Sequence, residues 1–386
     1  MSFIPYSCQN ITDADVDAVV SALQSDFLTQ GPAVVEFEQQ FAQRHQVAHA
    51  VSVSNATAGL HIACLALGVG PGDLVWTSPN SFLASANCVL YCRADIDFVD
   101  IDPATRNMSV QGLSDKLAAA DRAHRLPKVV IPVDFAGLPC DLKEMRVLAD
   151  RYGFSILEDA SHATGASYLG APTGSRFADI TVFSFHAVKI VTTAEGGMVT
   201  TQDGKLAGRL RALRSHGMTR DPAELQGTPD GPWYYEQQCL GFNYRLTDLQ
   251  AALGSSQLKR LEAMHAQRSA LADRYDGLLA GLPVKTPARQ RDRVSAWHLY
   301  AIELDSKRTP VSRATVFQAL RDAGIGVNVH YIPIHIQPFY TRLGFKRGDF
   351  PAAEHYYDHA ISLPLFPALT ATQMTHVVTV LSDALA

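Results

Sequence analysis

One lysine of this chain stands in a setting that suits covalent chemistry. Lys189 lies five residues after Ser184 and seven residues before the glycine pair 196–197, and Asp159 ends a predicted strand thirty positions upstream. A lysine amine can form a Schiff base with an aldehyde, and an aspartate can keep a pyridine nitrogen protonated so that the ring accepts electrons. Apolar and β-branched neighbours should lower the pKa of Lys189 by desolvation. These features predict pyridoxal 5′-phosphate (PLP) chemistry, with Lys189 and Asp159 as catalytic residues.

A phosphate site is predicted at a strand-to-helix turn. The segment 54–59, Ser-Asn-Ala-Thr-Ala-Gly, follows a predicted strand and opens a predicted helix. Small residues there expose backbone N–H groups, and the start of a helix favours an anion. Taken alone the segment is a simple N-cap; joined to Lys189 and Asp159 it favours a phosphate cradle. Ser184 is either a phosphate ligand or a strand hydroxyl, and we favour the ligand. Phe82 either covers the cofactor ring or belongs to the core.

The elements that position these residues form an alternating pattern of strands and helices. Short apolar runs with ten or more residues between them argue for a parallel sheet covered by helices on both faces. The predicted strands are 50–53, 74–76, 96–99, 129–131 and 154–157, followed by the closely spaced pair 180–185 and 198–200. One long helical stretch is predicted over 247–279. The expected fold is α/β, with a large α/β/α domain over residues 1–255 and a smaller α+β domain over 256–386.

Composition narrows the classes of partner. The 386 residues are 47% hydrophobic and 18% charged, with a net charge of −5, which is typical of a globular enzyme. Without a basic stripe, nucleic acid is not an expected partner. No run reaches the roughly 18 apolar residues of a membrane helix, and the start of the chain carries no export pattern, so we expect a cytoplasmic protein without membrane contact. The six cysteines and fourteen histidines show no metal-ligand spacing, so no metal is predicted.

Several segments together carry a resemblance to a known family. They are 26–32 (DFLTQGP), 158–163 (EDASHA), 184–197, 241–245 (GFNYR), 297–300 (WHLY), 330–333 (HYIP) and 363–367 (LPLFP). The chain resembles the DegT/DnrJ/EryC1/StrS family of sugar-nucleotide aminotransferases, which have PLP fold type I. Within it, segments 6–9 (YSCQ), 25–30 (SDFLTQ), 185–189 (FHAVK) and 329–335 (VHYIPIH) make the chain most similar to UDP-4-amino-4,6-dideoxy-N-acetyl-β-L-altrosamine transaminases of pseudaminic acid biosynthesis. Two residues depart from the pattern: Ala187 stands where proline is expected, and His162 where many members have glutamine.

The resemblance implies a role for each candidate residue. Lys189 forms the Schiff base, and Asp159 pairs with the pyridine nitrogen. The other cofactor contacts are His162 and Phe82 at the ring, and Thr57, Ala58 and Ser184 at the phosphate. Asn243 is implied to reach the cofactor of a neighbouring subunit, which makes a homodimer with shared active sites the functional unit. The implied sugar-pocket residues are Tyr6, Thr29, His330 and Tyr331.

The reaction implied is transfer of an amino group from L-glutamate to C4 of a nucleotide-linked 4-keto-6-deoxy hexose. The most similar group acts on UDP-2-acetamido-2,6-dideoxy-β-L-arabino-hexos-4-ulose, and another UDP- or dTDP-linked ketone is the alternative. Two other classes of protein are the alternatives. A PLP-dependent sugar dehydratase of this family has histidine in place of the lysine, and Lys189 argues against it. A non-catalytic cofactor-binding protein is expected to have lost Asp159, Ser184 or Lys189, and all three are present.

Overall fold

The computed structural model describes residues 3–386. Its helices are α1 (Asp13–Leu23), α2 (Pro32–His45), α3 (Ala56–Ala66), α4 (Ala84–Tyr91), α5 (Val110–Arg122), α6 (Leu142–Tyr152), α7 (Gly204–Arg214), α8 (Asp248–Leu258), α9 (Leu261–Leu278), α10 (Arg313–Asp322), α11 (Pro338–Thr341), α12 (Pro351–His359) and α13 (Ala371–Leu385). Its strands are β1 (His49–Val53), β2 (Leu74–Thr77), β3 (Asp95–Phe98), β4 (Val129–Ile131), β5 (Ser155–Asp159), β6 (Ser167–Tyr168), β7 (Ala171–Pro172), β8 (Ile180–Ser184), β9 (Gly197–Thr201), β10 (Met218–Thr219), β11 (Glu236–Gln237), β12 (Val284–Lys285), β13 (Arg293–Val294), β14 (Tyr300–Leu304) and β15 (Ala360–Leu363).

A seven-stranded sheet forms the centre of the larger part of the molecule. Its strand order is β1-β9-β8-β5-β4-β2-β3. β9 is antiparallel to both of its neighbours, whereas the pairs β2–β3, β2–β4, β4–β5 and β5–β8 are parallel. The predicted α/β class with a mostly parallel sheet is therefore confirmed.

Alternate residues of the central strands face two separate cores. Leu157 and Val182 pack on the side of α3 and α4. Ile156 packs on the other side, with Leu113 of α5 and Met145 of α6. Because both faces are covered, these strands contain consecutive apolar residues, such as Ile156 and Leu157, rather than a strict alternation with polar residues, and this is the pattern that marked them in the sequence.

The C-terminal part of the chain has a core of its own. The antiparallel strands β12, β14 and β15 form a small sheet, and α10 and α13 pack with them through residues such as Val316 and Leu381. Ile4, near the start of the chain, is buried in the same core, and its N–H donates to Gly324 O at 2.9 Å. The boundary between residues 255 and 256 stays a prediction.

The helical stretch predicted over 247–279 is confirmed as helical, but it consists of two helices. The segment forms α8 and α9, separated at Lys259 and Arg260. Arg260 has φ −103° and ψ 4°, and its N–H bonds to Gln257 O only three residues back, a tight helix ending. Its guanidinium hydrogen-bonds Asn10 and Asp15 of the N-terminal region. The break allows α8 to pack on α1 and α2 while α9 continues toward the C-terminal core.

A membrane-crossing helix is not found among residues 3–386, since no helix there combines sufficient length with sufficient apolar character.

Candidate active site

The loop that carries Lys189 connects β8 to β9. Ser184 at the end of β8 pairs with Gly197 at the start of β9, so the twelve residues between them leave and return at neighbouring points. Phe185 N–H donates to Gly196 O at 2.9 Å, and Lys189 N–H donates to His186 O at the same distance. Burial lowers the pKa of Lys189 to about 8, and the negative charge of Asp159 opposes this effect. The amine is therefore much closer to its neutral, nucleophilic form at neutral pH than an ordinary lysine.

Asp159 ends β5, the strand beside β8, and is 4% exposed. Its carboxylate accepts hydrogen bonds from Ser85 Oγ at 2.6 Å, Ser161 Oγ at 2.6 Å and Ser161 N–H at 3.1 Å. Since β5 and β8 are parallel, their carboxyl ends meet at one edge of the sheet, where ligands of open α/β sheets bind. The fold thus brings Asp159 and Lys189 together, although neither residue type alone required it.

His162 follows Asp159 by three residues, and its hydrogen bonds fix its tautomer. Ala136, in a left-handed turn with φ 58°, donates its N–H to His162 Nδ1 at 3.2 Å. Nδ1 is therefore the acceptor nitrogen, and in the neutral ring the proton is on Nε2. Burial, with the charges of Lys189 and His330, holds the pKa of His162 well below its usual value, so the ring is neutral.

The proton on His162 Nε2 determines what Tyr331 can do. His162 Nε2 and Tyr331 Oη are 3.0 Å apart, so the ring donates to the phenol oxygen. Within residues 3–386, the Tyr331 hydroxyl has no second hydrogen-bond partner. Its own proton is consequently available to an acceptor that is not part of this chain. Burial raises the pKa of Tyr331, which keeps that proton on the oxygen.

The start of α3 fits a phosphate group. Asn55 caps the helix by accepting the Ala58 N–H at 2.8 Å, whereas the N–H groups of Ala56 and Thr57 have no acceptor in the described part of the chain. A side chain at Gly197 would place its Cβ 2.9 Å from Ala56 N, so glycine is needed for β9 to begin this close to the helix start. The free N–H groups and the helix dipole suit an anion here. Ser184, paired with Gly197, carries its hydroxyl into the same region.

The predicted contacts at Thr57 and Ala58 differ in what they offer. The Thr57 N–H is free, as the phosphate prediction requires. The Ala58 N–H is already bonded by Asn55, so it can serve a phosphate only if that cap is shared or exchanged. Both contacts stay predictions.

An aromatic cluster lines the approach to this edge of the sheet. The ring centroids of Phe82 and Tyr331 are 6.4 Å apart, and those of Tyr6 and His330 are 5.9 Å apart. Phe82 is 59% exposed, which leaves its ring free to contact a ligand rather than the core. His330 Nδ1 lies 2.7 Å from Ser362 Oγ, and burial lowers the pKa of His330 to about 4. The cluster brings the start of the chain to residues of the C-terminal region.

Two predicted residues, Thr29 and Asn243, are exposed. Thr29 forms a strand-like bridge with Thr247, and Asn243 forms one with Ser215. An exposed position is what a residue that serves a neighbouring subunit requires; this role for Asn243 and the sugar-pocket role for Thr29 both stay predictions.

Sequence reasoning missed three residues of the site. Ser85 of α4 and Ser161 hydrogen-bond Asp159, and the ring of His298 lies 4.4 Å from that of His162. Ser161 stands two residues after Asp159 and could have been found as a local turn partner. His298 belongs to the WHLY segment, but Ser85 is 74 residues from Asp159, and no local signal connects them.

Comparison with known proteins gives a consistent picture. The model of the DegT/DnrJ/EryC1/StrS aminotransferase family matches residues 9–382. Among curated relatives, the spore coat polysaccharide biosynthesis protein SpsC of Bacillus subtilis is 40% identical over 384 residues, which cover 99% of this chain and 97% of that protein.

Solved structures resemble the chain over its whole length. Helicobacter pylori PseC, an aminotransferase involved in pseudaminic acid biosynthesis, has a TM-score of 0.90 at 30% identity and covers 100% of this chain and 99% of its own. Streptococcus pneumoniae Spr1654 in its PLP form has a TM-score of 0.88 at 30% identity and covers 99% of this chain and 98% of its own. The architecture is that of fold type I PLP-dependent aminotransferases. Neighbours in PLP and PMP forms support pyridoxal phosphate as the cofactor.

Proposed function

Because this chain belongs to the DegT/DnrJ/EryC1/StrS aminotransferase family, we propose that it transfers an amino group from L-glutamate to C4 of a nucleotide-linked 4-keto-6-deoxy hexose. One observation carries the proposal. Lys189, with its pKa lowered to about 8, lies at the same sheet edge as the buried carboxylate of Asp159 and the free N–H groups that open α3. These are the groups that PLP chemistry requires of a protein.

The residues of this edge fit PLP. Lys189 is the residue to bond the cofactor, Asp159 would hold a proton on its ring nitrogen, and the start of α3 with Ser184 would hold its phosphate. When bound, the cofactor supplies an acceptor for the electron pair released as a proton leaves the carbon beside nitrogen. Everything else must come from the chain.

Lys189 is also the residue to move that proton. An amine whose pKa lies near the working pH can accept a proton and return it at comparable cost, which suits a group that must act as base and then as acid. Ser85 and Ser161 hold the Asp159 carboxylate in one orientation, so its negative charge is already in place and needs no rearrangement during the reaction.

Tyr331 is the group to orient the sugar. Its proton has no acceptor in the described part of the chain, because His162 Nε2–H already donates to its oxygen. A ketone or hydroxyl oxygen of the substrate is the acceptor we assign to it. Tyr6, His330 and the exposed ring of Phe82 are the aromatic groups that we assign to the wall around that oxygen.

For the exact substrate we infer UDP-2-acetamido-2,6-dideoxy-β-L-arabino-hexos-4-ulose, which makes the product UDP-4-amino-4,6-dideoxy-N-acetyl-β-L-altrosamine for pseudaminic acid biosynthesis. The support is the likeness of segments 25–30 and 329–335 to transaminases of that route, together with the structural likeness to PseC. Another UDP- or dTDP-linked 4-keto-6-deoxy sugar is the alternative. We further propose a homodimer in which Asn243 of each subunit serves the other subunit's cofactor.

A panel of sugar nucleotides tests the proposal at both levels. The purified protein is incubated with PLP, L-glutamate and 4-keto-6-deoxy sugars linked to UDP or dTDP, and the products are identified by NMR. A 4-amino sugar formed together with 2-oxoglutarate supports the aminotransferase, and preference for the UDP-linked 2-acetamido ketone supports the exact substrate. Preference for a dTDP-linked ketone would overturn the exact substrate alone. A product that has lost a hydroxyl and gained no nitrogen would indicate the dehydratase instead.

A further inference from the structure

A second acidic group lies directly behind Asp159. Val133 bridges Asp159 in a parallel pair, and Glu158 is paired with Thr181 of β8. Because successive side chains of a strand point to opposite faces, Asp134 and Glu158 share the face that Asp159 does not use. Both side chains are fully buried, at 0% exposure.

The hydrogen bonds of this pair are incomplete. Asp134 Oδ1 accepts the Cys140 N–H at 2.8 Å, and Glu158 Oε2 accepts the Thr181 hydroxyl at 2.7 Å. Asp134 Oδ2 and Glu158 Oε1 meet no donor anywhere in residues 3–386. The two carboxyl groups are within hydrogen-bonding reach of each other. A proton between Asp134 Oδ2 and Glu158 Oε1 would therefore give both oxygens a hydrogen-bond partner.

Two carboxylates cannot hydrogen-bond, because neither carries a donor. Two buried negative charges in contact, beside the third charge of Asp159, would also be strongly unfavourable. A single proton removes both problems, since one carboxylic acid can donate to the other group.

We propose that Asp134 and Glu158 share a proton and that this acid pair positions Asp159 from the opposite face of the sheet. The connection is short: Asp134 N–H donates to Asp159 O at 3.1 Å, and Glu158 is the preceding residue of the same strand. The role assigned to Asp159 rests on the proposed function, whereas the shared proton does not.

Few other titratable groups face the pair. Cys140 lies beside it, with Sγ donating to Val133 O at 3.2 Å, and burial raises the pKa of this thiol, which keeps it neutral. Asp159 acts on both carboxyls through its charge from the other face. The elements packed on this side, α5 and α6, present apolar residues such as Leu113 and Met145. In agreement with a shared proton, burial raises the pKa of Asp134 and of Glu158.

The pH dependence of thermal stability in the cofactor-free protein tests whether Asp134 and Glu158 share a proton. A carboxyl whose pKa is raised on folding stabilises the folded state below its unfolded pKa, and this contribution is lost as pH rises through the folded pKa. Because the buried, neutral His162 and His330 change stability in the opposite direction over this pH range, the pair is tested by the difference between two proteins. As pH rises from the ordinary carboxyl pKa of about 4, the wild-type Tm should fall relative to the Tm of Glu158→Gln, in which the amide donates to Asp134 without a titrating proton.

A matched control makes the same carboxyl-to-amide change without touching the pair. Asp115→Asn replaces an exposed carboxylate of α5 and should leave the wild-type slope unchanged. Equal slopes for wild type and Glu158→Gln would contradict the shared proton. If Glu158→Gln does not fold, the infrared spectrum of the wild type makes the same test: a C=O band of a protonated carboxyl at neutral pH supports the proton, and its absence overturns it.

Cofactor affinity tests the positioning. Glu158→Gln keeps the link to Asp134 and should retain the wild-type Kd for PLP, whereas Glu158→Ala breaks it and should weaken binding about tenfold. The conservative variant thus rescues what the alanine variant loses. Equal Kd values in the wild type and a folded Glu158→Ala would overturn the positioning role. Because neither measurement includes a sugar substrate, a wrong substrate assignment would leave both results unaffected.

Discussion

Glu158 and Asp159 are consecutive residues of one strand, both buried, yet the fold gives them opposite surroundings. Asp159 faces O–H and N–H donors from Ser85 and Ser161. Glu158 faces another carboxyl, Asp134, and among residues 3–386 only the Thr181 hydroxyl donates to it. Donors suit a carboxylate, whereas a facing acid requires a proton. The hydrogen-bond partners on each face of the sheet, rather than residue type or degree of burial, therefore determine which of the two carboxyl groups is ionised at the edge where the ligand binds.

The largest difference in activity is expected when the Glu158 and Asp159 carboxyl groups are neutralised one at a time. Asp159→Asn removes the charge that would keep the cofactor nitrogen protonated, and we expect kcat to fall roughly 10²–10⁴-fold. Glu158→Gln is the matched control, because it makes the same chemical change one residue away and should reduce kcat by less than about threefold. Steady-state kinetics of both variants decides. Similar losses in the two variants would mean that the faces do not differ as described.

Removing the Tyr331 hydroxyl tests the hydrogen bond that we assign to the sugar substrate. Tyr331→Phe leaves the His162 Nε2–H without its acceptor and takes away the proton assigned to the sugar, so kcat/KM should fall roughly 10–100-fold. Tyr6→Phe removes a hydroxyl from the same aromatic cluster and serves as the control, with a smaller expected change. If Tyr331→Phe keeps the wild-type kcat/KM for the sugar, Tyr331 is not the donor.

The smallest effects are expected from deleting single hydroxyl groups that donate to Asp159 or to Glu158. Ser85→Ala removes a donor to Asp159 and should weaken PLP binding about fivefold with little change in Tm. Thr181→Val removes the donor to Glu158 and should lower Tm while the Kd for PLP stays unchanged. Fluorescence titration and thermal unfolding measure the two quantities. If Ser85→Ala lowered Tm and left the Kd for PLP unchanged, while Thr181→Val weakened PLP binding, the roles assigned to the two faces of the sheet would be wrong.

Much of this fold could be predicted from the sequence because its strands are buried on both faces. The run 129–131 is wholly apolar, the run 180–184 is apolar except for Thr181 and Ser184, and helix-length spacers separate most of the predicted strands. The break at Lys259 and Arg260 could not be predicted in this way, because the segment keeps good helix formers. The side-chain partners of Arg260, Asn10 and Asp15, are about 250 residues away in the chain.

In the candidate site, too, residues with a local sequence signal could be predicted and residues brought in by tertiary contacts could not. Lys189 and Asp159 were predictable because their local segments carry the signal. The donors that orient them were not: Ser85 reaches Asp159 only through the packing of α4 on the sheet, and Tyr331 meets His162 across 169 residues. Asp134 and Glu158 become a pair only when β4 and β5 align. Local patterns predict which groups can do chemistry, and tertiary contacts determine their protonation.

The most direct test of the account is to reduce the purified, PLP-loaded protein with borohydride and map the modified residue by peptide mass spectrometry. We predict one phosphopyridoxyl group, on Lys189, and none in Lys189→Arg, whose thermal unfolding should match that of the cofactor-free wild type. Modification of a different lysine, or no stable modification in a protein that holds PLP, would contradict the central claim that Lys189 is the covalent centre of this site.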